Sequence, residues 1–148
     1  MTPPNRLQIR LIEPADVPAL LNIIADSRAE YGTDKTGAEL LEPADRALYA
    51  TYQRQRSLYF VAVLDGKVVG GAGVAPCAGA DPLTCELQRV YLRRDARFRG
   101  VGNALLEQCF KAAKQFLYVR CYHERNDRWM VRPLRASARE WAAGASAR

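Results

Sequence analysis

The stretch of sequence that decides the fold runs from residue 85 to residue 104 and reads CELQRVYLRRDARFRGVGNA. Its first half belongs to the segment Thr84–Leu92, which is typical of a β-strand. A loop rich in arginine follows. Residues 102–117 then repeat apolar side chains at helical spacing, which predicts an amphipathic helix. The stretch is therefore a strand, a basic loop and a helix in direct succession.

The loop enters the helix through the pattern Arg97-x-x-Gly100-x-Gly102. Glycine lets a ligand approach the backbone closely. The first N–H groups of a helix have no intrahelical acceptor and lie at the positive end of the helix dipole. Together these features favour a phosphate or pyrophosphate site, to which nearby arginines could add charge-assisted bonds. The alternative is a glycine-rich turn whose arginines are merely solvated.

Two other nucleotide-binding patterns are excluded by the same stretch. A dinucleotide-binding Rossmann unit needs G-x-G-x-x-G after its first strand and an acidic residue about 20 positions further on. A P-loop needs Gly-Lys-Ser/Thr. Neither pattern is present.

Together with the other predicted elements, this stretch gives the order β-α-α-β-β-β-α-β, which predicts one domain of the α+β class. Asp65-Gly66 predicts a type I′ hairpin between two strands. Asp16 is expected to cap the first helix. A second helix is expected after Pro43, with Leu48, Tyr49 and Tyr52 facing inward. The remaining strands are expected at residues 7–12 and 118–122.

The chain changes character after Glu124. Residues 125–148 hold six arginines but only two acids, Asp127 and Glu140, so most of the net charge of +6 lies there. We therefore divide the chain into a domain at 1–124 and an atypical Arg/Ala-rich tail at 125–148, which either forms a frayed helix around 135–143 or is disordered. Because the body is nearly neutral, a nucleic-acid partner is not favoured.

Cysteine spacing and hydropathy indicate the cellular compartment of the protein. No run approaches the roughly 18 apolar residues of a membrane helix, and the first residues lack a signal-peptide core. We expect a cytoplasmic protein without membrane contact, with reduced, buried thiols. A zinc site is not expected, because its imaginable ligands do not form paired C-x-x-C units. These ligands are Cys77, Cys85, Cys109, Cys121 and His123.

With these elements in place, residues 7–124 resemble the GNAT superfamily of acetyl-CoA-dependent N-acetyltransferases. Residues 85–117 resemble its acetyl-CoA segment, a strand followed by Gln/Arg-x-x-Gly-x-Gly/Ala and a helix. The resemblance implies a mixed, mostly antiparallel sheet flanked by helices, here lacking the usual final strands. It also implies acetyl-CoA as co-substrate and no metal. The implied cofactor contacts are Val90, Tyr91 and Leu92 on the strand, and Arg97, Phe98, Arg99, Gly100, Val101, Gly102 and Asn103 in the loop.

The resemblance further implies transfer of an acetyl group to a primary amine by direct attack. Glu86 is the candidate general base for a small-molecule or peptide amine. In a regular strand it would share a face with Gln88 and Val90, opposite Leu87 and Arg89. The alternative for Glu86 is an edge-strand carboxylate paired with Arg89 or water. No tyrosine follows Tyr122, so the general acid that many relatives carry on a later helix is not identified.

Two other functions are kept open. The missing acid and strands suggest an impaired, CoA-binding remnant of a GNAT enzyme, and the tail suggests a basic nucleic-acid-associated protein. Without the family's later strands, residues 118–122 would be an exposed sheet edge. Such an edge lowers stability or pairs with a second copy, which would give a homodimer.

Overall fold

The computed structural model describes residues 6–125 and 128–134. The elements follow the predicted order, except that two short helices replace the second helix and one further strand comes at the end. The strands are β1 (Leu7–Leu11), β2 (Leu58–Leu64), β3 (Lys67–Pro76), β4 (Thr84–Leu92), β5 (Arg120–Arg125) and β6 (Arg128–Pro133). The helices are α1 (Val17–Ala29), α2 (Pro43–Arg46), α3 (Leu48–Thr51) and α4 (Val101–Gln115).

The strands form a single sheet in the order β1-β2-β3-β4-β5-β6. All neighbours are antiparallel except β4 and β5, which run parallel. A parallel connection needs a crossover, and α4 supplies it between these two strands. The α+β class and the mostly antiparallel sheet are confirmed.

Helices cover both faces of the sheet. On one face α4 buries Val101, Leu105 and Cys109 against the central strands. On the other face α1 and α3 pack against Tyr59 and Val61 of β2. Strand β4 therefore lies between two apolar layers, and its side chains can reach either layer.

The hairpin between β2 and β3 has the predicted turn. Asp65 and Gly66 both have positive φ values, 51° and 83°. A type I′ turn requires positive φ at both central residues. The prediction from Asp65-Gly66 is confirmed.

Two helix predictions need correction. The helix expected after Pro43 is two short helices, α2 and α3, although Leu48 and Tyr52 are buried as expected. Asp16 makes no side-chain cap to α1. Its carboxylate instead accepts the Glu13 N–H at 2.8 Å and forms an ion pair with Arg10 at 2.7 Å. A charged partner lowers the pKa of Asp16 and draws its carboxylate away from the helix end.

The end of the sheet differs most from expectation. Strand β6 pairs antiparallel along the whole of β5, from Arg120↔Pro133 to Arg125↔Arg128. The expected exposed edge at residues 118–122 is therefore wrong, because β6 covers it and a strand does follow residue 124. The helix expected at 135–143 lies outside the described residues.

Candidate active site

Strands β4 and β5 share only a short parallel ladder. Three residues, Thr84 to Glu86, pair with Arg120 to Tyr122. Beyond Glu86, β4 continues to Leu92 without a β5 partner among residues 6–125 and 128–134. The two strands thus separate at Glu86, and roughly 20 Å of β4 runs from there to the loop that enters α4.

A bulge interrupts β4 on its other side. Gln88 pairs with Gly73 and Tyr91 with Gly71, so Arg89 and Val90 both lie opposite Ala72. Arg89 has a left-handed backbone, with φ 49°. The Tyr59 hydroxyl donates to the Arg89 carbonyl at 2.8 Å and supports this conformation. Such bulges redirect side chains and are frequent beside active sites.

The bulge overturns the predicted alternation along β4. The sequence placed Gln88 and Arg89 on opposite faces, but both side chains bond to the hydroxyl of Tyr52. One extra residue shifts the alternation by one step, so neighbouring side chains meet on the same face. Strict period-two counting therefore holds only up to Gln88.

The N-terminus of α4 lies beside the end of β4. Gly100 precedes the helix in the left-handed region, with φ 79°, and a Cβ there would meet no atom within 4 Å. A Cβ on Gly102 would lie 3.4 Å from Cδ1 of Leu92. The first helical bond joins the Ala104 N–H to the Gly100 carbonyl at 3.1 Å. The N–H groups of Val101, Gly102 and Asn103 therefore have no acceptor within the helix.

Two arginines of the loop, Arg97 and Arg93, form ion pairs. Arg97 donates to the Leu92 carbonyl at 3.1 Å and to Glu30, the residue that follows α1, at 2.8 Å. Arg93 forms an ion pair with Asp95. These bonds fix the loop between β4 and α1, so the Arg97 side chain braces the loop.

The other predicted loop residues divide by exposure. Phe98 is fully exposed with φ 64°, whereas the side chain of Val101, the first residue of α4, is buried in the core. Arg99 and Asn103 are exposed. Val101 can therefore offer a ligand only its backbone.

Glu86 lies at the point where the two strands separate. Its carboxylate is half-buried and accepts a hydrogen bond from Nε2 of Gln88 at 3.1 Å. Its neighbour across the ladder is Tyr122. The alternative of an edge-strand carboxylate paired with Arg89 is wrong, because β4 is an interior strand and Arg89 pairs with Asp45.

Asp45 anchors a buried ion-pair cluster that the sequence did not predict. Its fully buried carboxylate accepts Nη1 of Arg28 at 2.5 Å, Nε of Arg89 at 2.9 Å and the Glu42 N–H at 2.7 Å. Burial alone would raise the pKa of Asp45, but these donors outweigh it and lower the pKa to about 2. The available signal was local: Glu42-Pro43-Ala44-Asp45 has the spacing of a capping box, which gave no hint of distant arginines.

The four cysteines are free thiols, and three of them, Cys85, Cys109 and Cys121, are buried in the core. The hydrogen bond to Cys85, together with burial, raises the pKa of Cys121. In the described part of the chain no group of three or more His, Cys, Asp or Glu residues could hold a metal ion.

Comparison with known proteins decides the family. The sequence model of the acetyltransferase (GNAT) family matches residues 20–129. The chain belongs to the GNAT family. It is 33% identical over 122 residues to the uncharacterised N-acetyltransferase YjgM of Escherichia coli, covering 82% of this chain and 73% of YjgM.

Solved structures agree with this assignment. A GCN5-related N-acetyltransferase from Kribbella flavida is 30% identical with a TM-score of 0.66, covering 78% of this chain and 70% of that one. The yncA structure from Salmonella typhimurium, which contains its cofactor acetyl-CoA, is 21% identical with a TM-score of 0.68, covering 80% and 69%. The second likeness establishes the fold, and this chain is a GNAT N-acetyltransferase by family.

The residues present suit the acetyl-CoA that the family uses. Free helix N–H groups at α4 match a diphosphate, and the space in front of Gly100 leaves room for it. No helix among the described residues is long and apolar enough to cross a bilayer.

Proposed function

We propose that this GNAT enzyme transfers the acetyl group of acetyl-CoA to a primary amine by direct attack of the amine. The observation that carries the proposal is the position of Glu86. Its carboxylate lies at one end of the part of β4 that has no β5 partner among the described residues. The bare N–H groups of α4 lie at the other end. A base and an anion site at the two ends of one gap suit a thioester carried on a long nucleotide arm.

The cofactor would be held mainly by backbone groups. The N–H groups of Gly100, Val101, Gly102 and Asn103 suit the diphosphate, because the helix dipole favours negative charge there. The main chain of Val90, Tyr91 and Leu92 would hold the arm along β4. When bound, acetyl-CoA supplies an activated acyl group whose carbonyl carbon accepts an amine.

Glu86 would act on the acceptor. As the amine nitrogen bonds to the acyl carbon, the carboxylate would take a proton from that nitrogen, directly or through one water. The carbon–sulfur bond would then break, and CoA would leave as a thiolate that takes a proton from water. Backbone N–H groups of Val90 and Leu92 would orient the carbonyl oxygen of the thioester. Without proton removal the attacking nitrogen would keep a positive charge and leave again.

The acceptor would be a small molecule or a peptide that carries a primary amine. The chain supports this class through the half-buried carboxylate of Glu86, which attracts an ammonium group before it loses a proton. No feature of the described residues favours a nucleic-acid partner over an amine.

A thiol-release assay tests the proposal. The purified chain is mixed with acetyl-CoA and a panel of amines that includes polyamines, amino acids and short peptides with free N-termini. Free thiol should appear only with an accepted amine and in equal amount to the acetylated product. Binding of acetyl-CoA without release for any amine would instead identify the impaired remnant, and absence of binding would contradict the proposal.

A further inference from the structure

We infer that Tyr52 and Gln88 are positioning residues that hold the carboxylate of Glu86 in one orientation through a directed chain of hydrogen bonds. The inference rests on the proposed role of Glu86 as the base. It goes further by assigning a task to a core tyrosine and to the bulge in β4.

The chain of hydrogen bonds has three links. Nη1 of Arg89 donates to the Tyr52 hydroxyl at 3.0 Å, and that hydroxyl donates to Oε1 of Gln88 at 2.9 Å. Nε2 of Gln88 then donates to Oε2 of Glu86 at 3.1 Å. Every link lies within ordinary hydrogen-bond distance.

The direction of the chain follows from the guanidinium at its start. Arginine carries only donors, so the Tyr52 oxygen must accept from it and its single proton must point elsewhere. That proton fixes the carbonyl of Gln88 toward Tyr52 and the amide NH₂ toward Glu86. The reverse orientation of the amide would place a carbonyl oxygen against a carboxylate.

The end of the hydrogen-bond chain that lies away from Glu86 is held by Asp45 and by ring packing. Asp45 accepts from Nε of Arg89 and from Arg28 of α1, and it is fully buried. The Tyr52 ring packs against Tyr59, with 5.1 Å between ring centroids. Burial raises the pKa of Tyr52, so its hydroxyl keeps the proton that it donates.

The bulge makes the chain possible. In a regular strand Gln88 and Arg89 would point to opposite faces. Because the extra residue brings both onto the face of Tyr52, one hydroxyl can bridge them. We therefore read the bulge as a device that connects the ion-pair cluster to the base.

Replacement of the hydroxyl tests the inference. Tyr52→Phe keeps the packed ring, so we expect kcat to fall roughly tenfold while KM for acetyl-CoA stays unchanged, since the cofactor lies along β4 and α4. Gln88→Met should give a similar fall. Tyr49→Phe on α3 is the matched control, because no hydrogen bond holds its hydroxyl among the described residues, and it should keep the wild-type rate.

A double-mutant cycle separates positioning from general damage. In an E86Q background, Tyr52→Phe should cause no further loss, because there is no carboxylate to orient. An equal loss in both backgrounds, or a wild-type rate for Tyr52→Phe while E86Q is impaired, overturns the inference alone. A wild-type rate for E86Q overturns the base and the inference together.

A measurement without turnover gives an independent test. In nuclear magnetic resonance spectra the side-chain NH₂ of Gln88 should shift in Tyr52→Phe and stay in place in Tyr49→Phe. An unchanged signal in Tyr52→Phe would show that the amide does not depend on the hydroxyl and would overturn the inference even if no amine is accepted.

Discussion

The carboxylate of Glu86 is the one acidic group at the last rung that β4 and β5 share among the described residues. Glu86→Gln keeps the size of the side chain and its place beside Gln88 but removes the basic oxygen. We expect kcat/KM to fall about 100-fold in the thiol-release assay, the loss typical of a missing general base.

Glu107→Gln is the matched control for this loss. Glu107 is exposed on α4, away from the gap between the strands, so its variant should keep the wild-type rate. Both variants should retain their response to acetyl-CoA in a thermal-shift experiment. A wild-type rate for Glu86→Gln would remove the base from the mechanism.

The buried carboxylate of Asp45 makes stability depend on acid pH. Its pKa is about 2 in the folded chain against an ordinary value of 3.8. A lowered pKa stabilises the fold above pH 4, and that contribution is lost as the pH falls toward 2. We expect the wild type to lose about 2 kcal/mol of unfolding free energy from this group over that window.

Asp45→Asn should lower the free energy of unfolding by about 3 kcal/mol at pH 7, because two partly buried guanidiniums lose their fully buried counter-charge. The difference from wild type should narrow between pH 4 and pH 2. Asp34→Asn, an exposed aspartate, is the control and should unfold like the wild type. Denaturant titration at several pH values measures the unfolding free energies of both variants. A difference between Asp45→Asn and the wild type that stays constant with pH would contradict the role of Asp45.

Between loop and helix, Gly100 offers a clean comparison with Gly79. Both have left-handed backbones, with φ values of 79° and 78°, and a Cβ on either meets no atom within 4 Å. Alanine at either position should therefore cost about 1 kcal/mol of stability. Only Gly100→Ala fills space in front of α4, so only it should weaken acetyl-CoA binding, by roughly tenfold.

Calorimetric titration with acetyl-CoA measures the two affinities, and denaturant titration measures the two stabilities. Equal affinities for Gly100→Ala and Gly79→Ala would show that the space before the helix plays no part in binding.

The junction of β4, loop and α4 was predictable because its signals are local. Apolar spacing defines the strand and the helix, and Gly100 marks the helix start. The bulge at Arg89 was not predictable, since alternation assumes a regular strand. The Asp45 cluster was missed because it joins residues 17 and 44 positions apart, a distance at which single-sequence patterns carry no information.

The last strand was likewise not predictable from sequence patterns. The unusual composition of residues 128–133 hides their strand pattern, so the sequence does not predict β6. Its pairing along β5 removes the argument for self-association through that edge.

For the molecule as a whole, binding should depend on the diphosphate. Acetyl-CoA should raise the melting temperature by mass action, whereas S-acetylpantetheine, which lacks the diphosphate, should raise it little. Added salt should weaken the effect of acetyl-CoA, because screening reduces the attraction between phosphate and the basic loop. An equal response to acetyl-CoA and S-acetylpantetheine would place the binding energy elsewhere.

The central claim is that bare N–H groups at the start of α4 hold the diphosphate of the cofactor. A crystal structure of the chain with bound CoA tests it most directly. We expect diphosphate oxygens within hydrogen-bond distance of the N–H groups of residues 100–103, with the arm running along β4 toward Glu86. A diphosphate bound away from this turn, or an arm that does not enter the gap between β4 and β5, would contradict it.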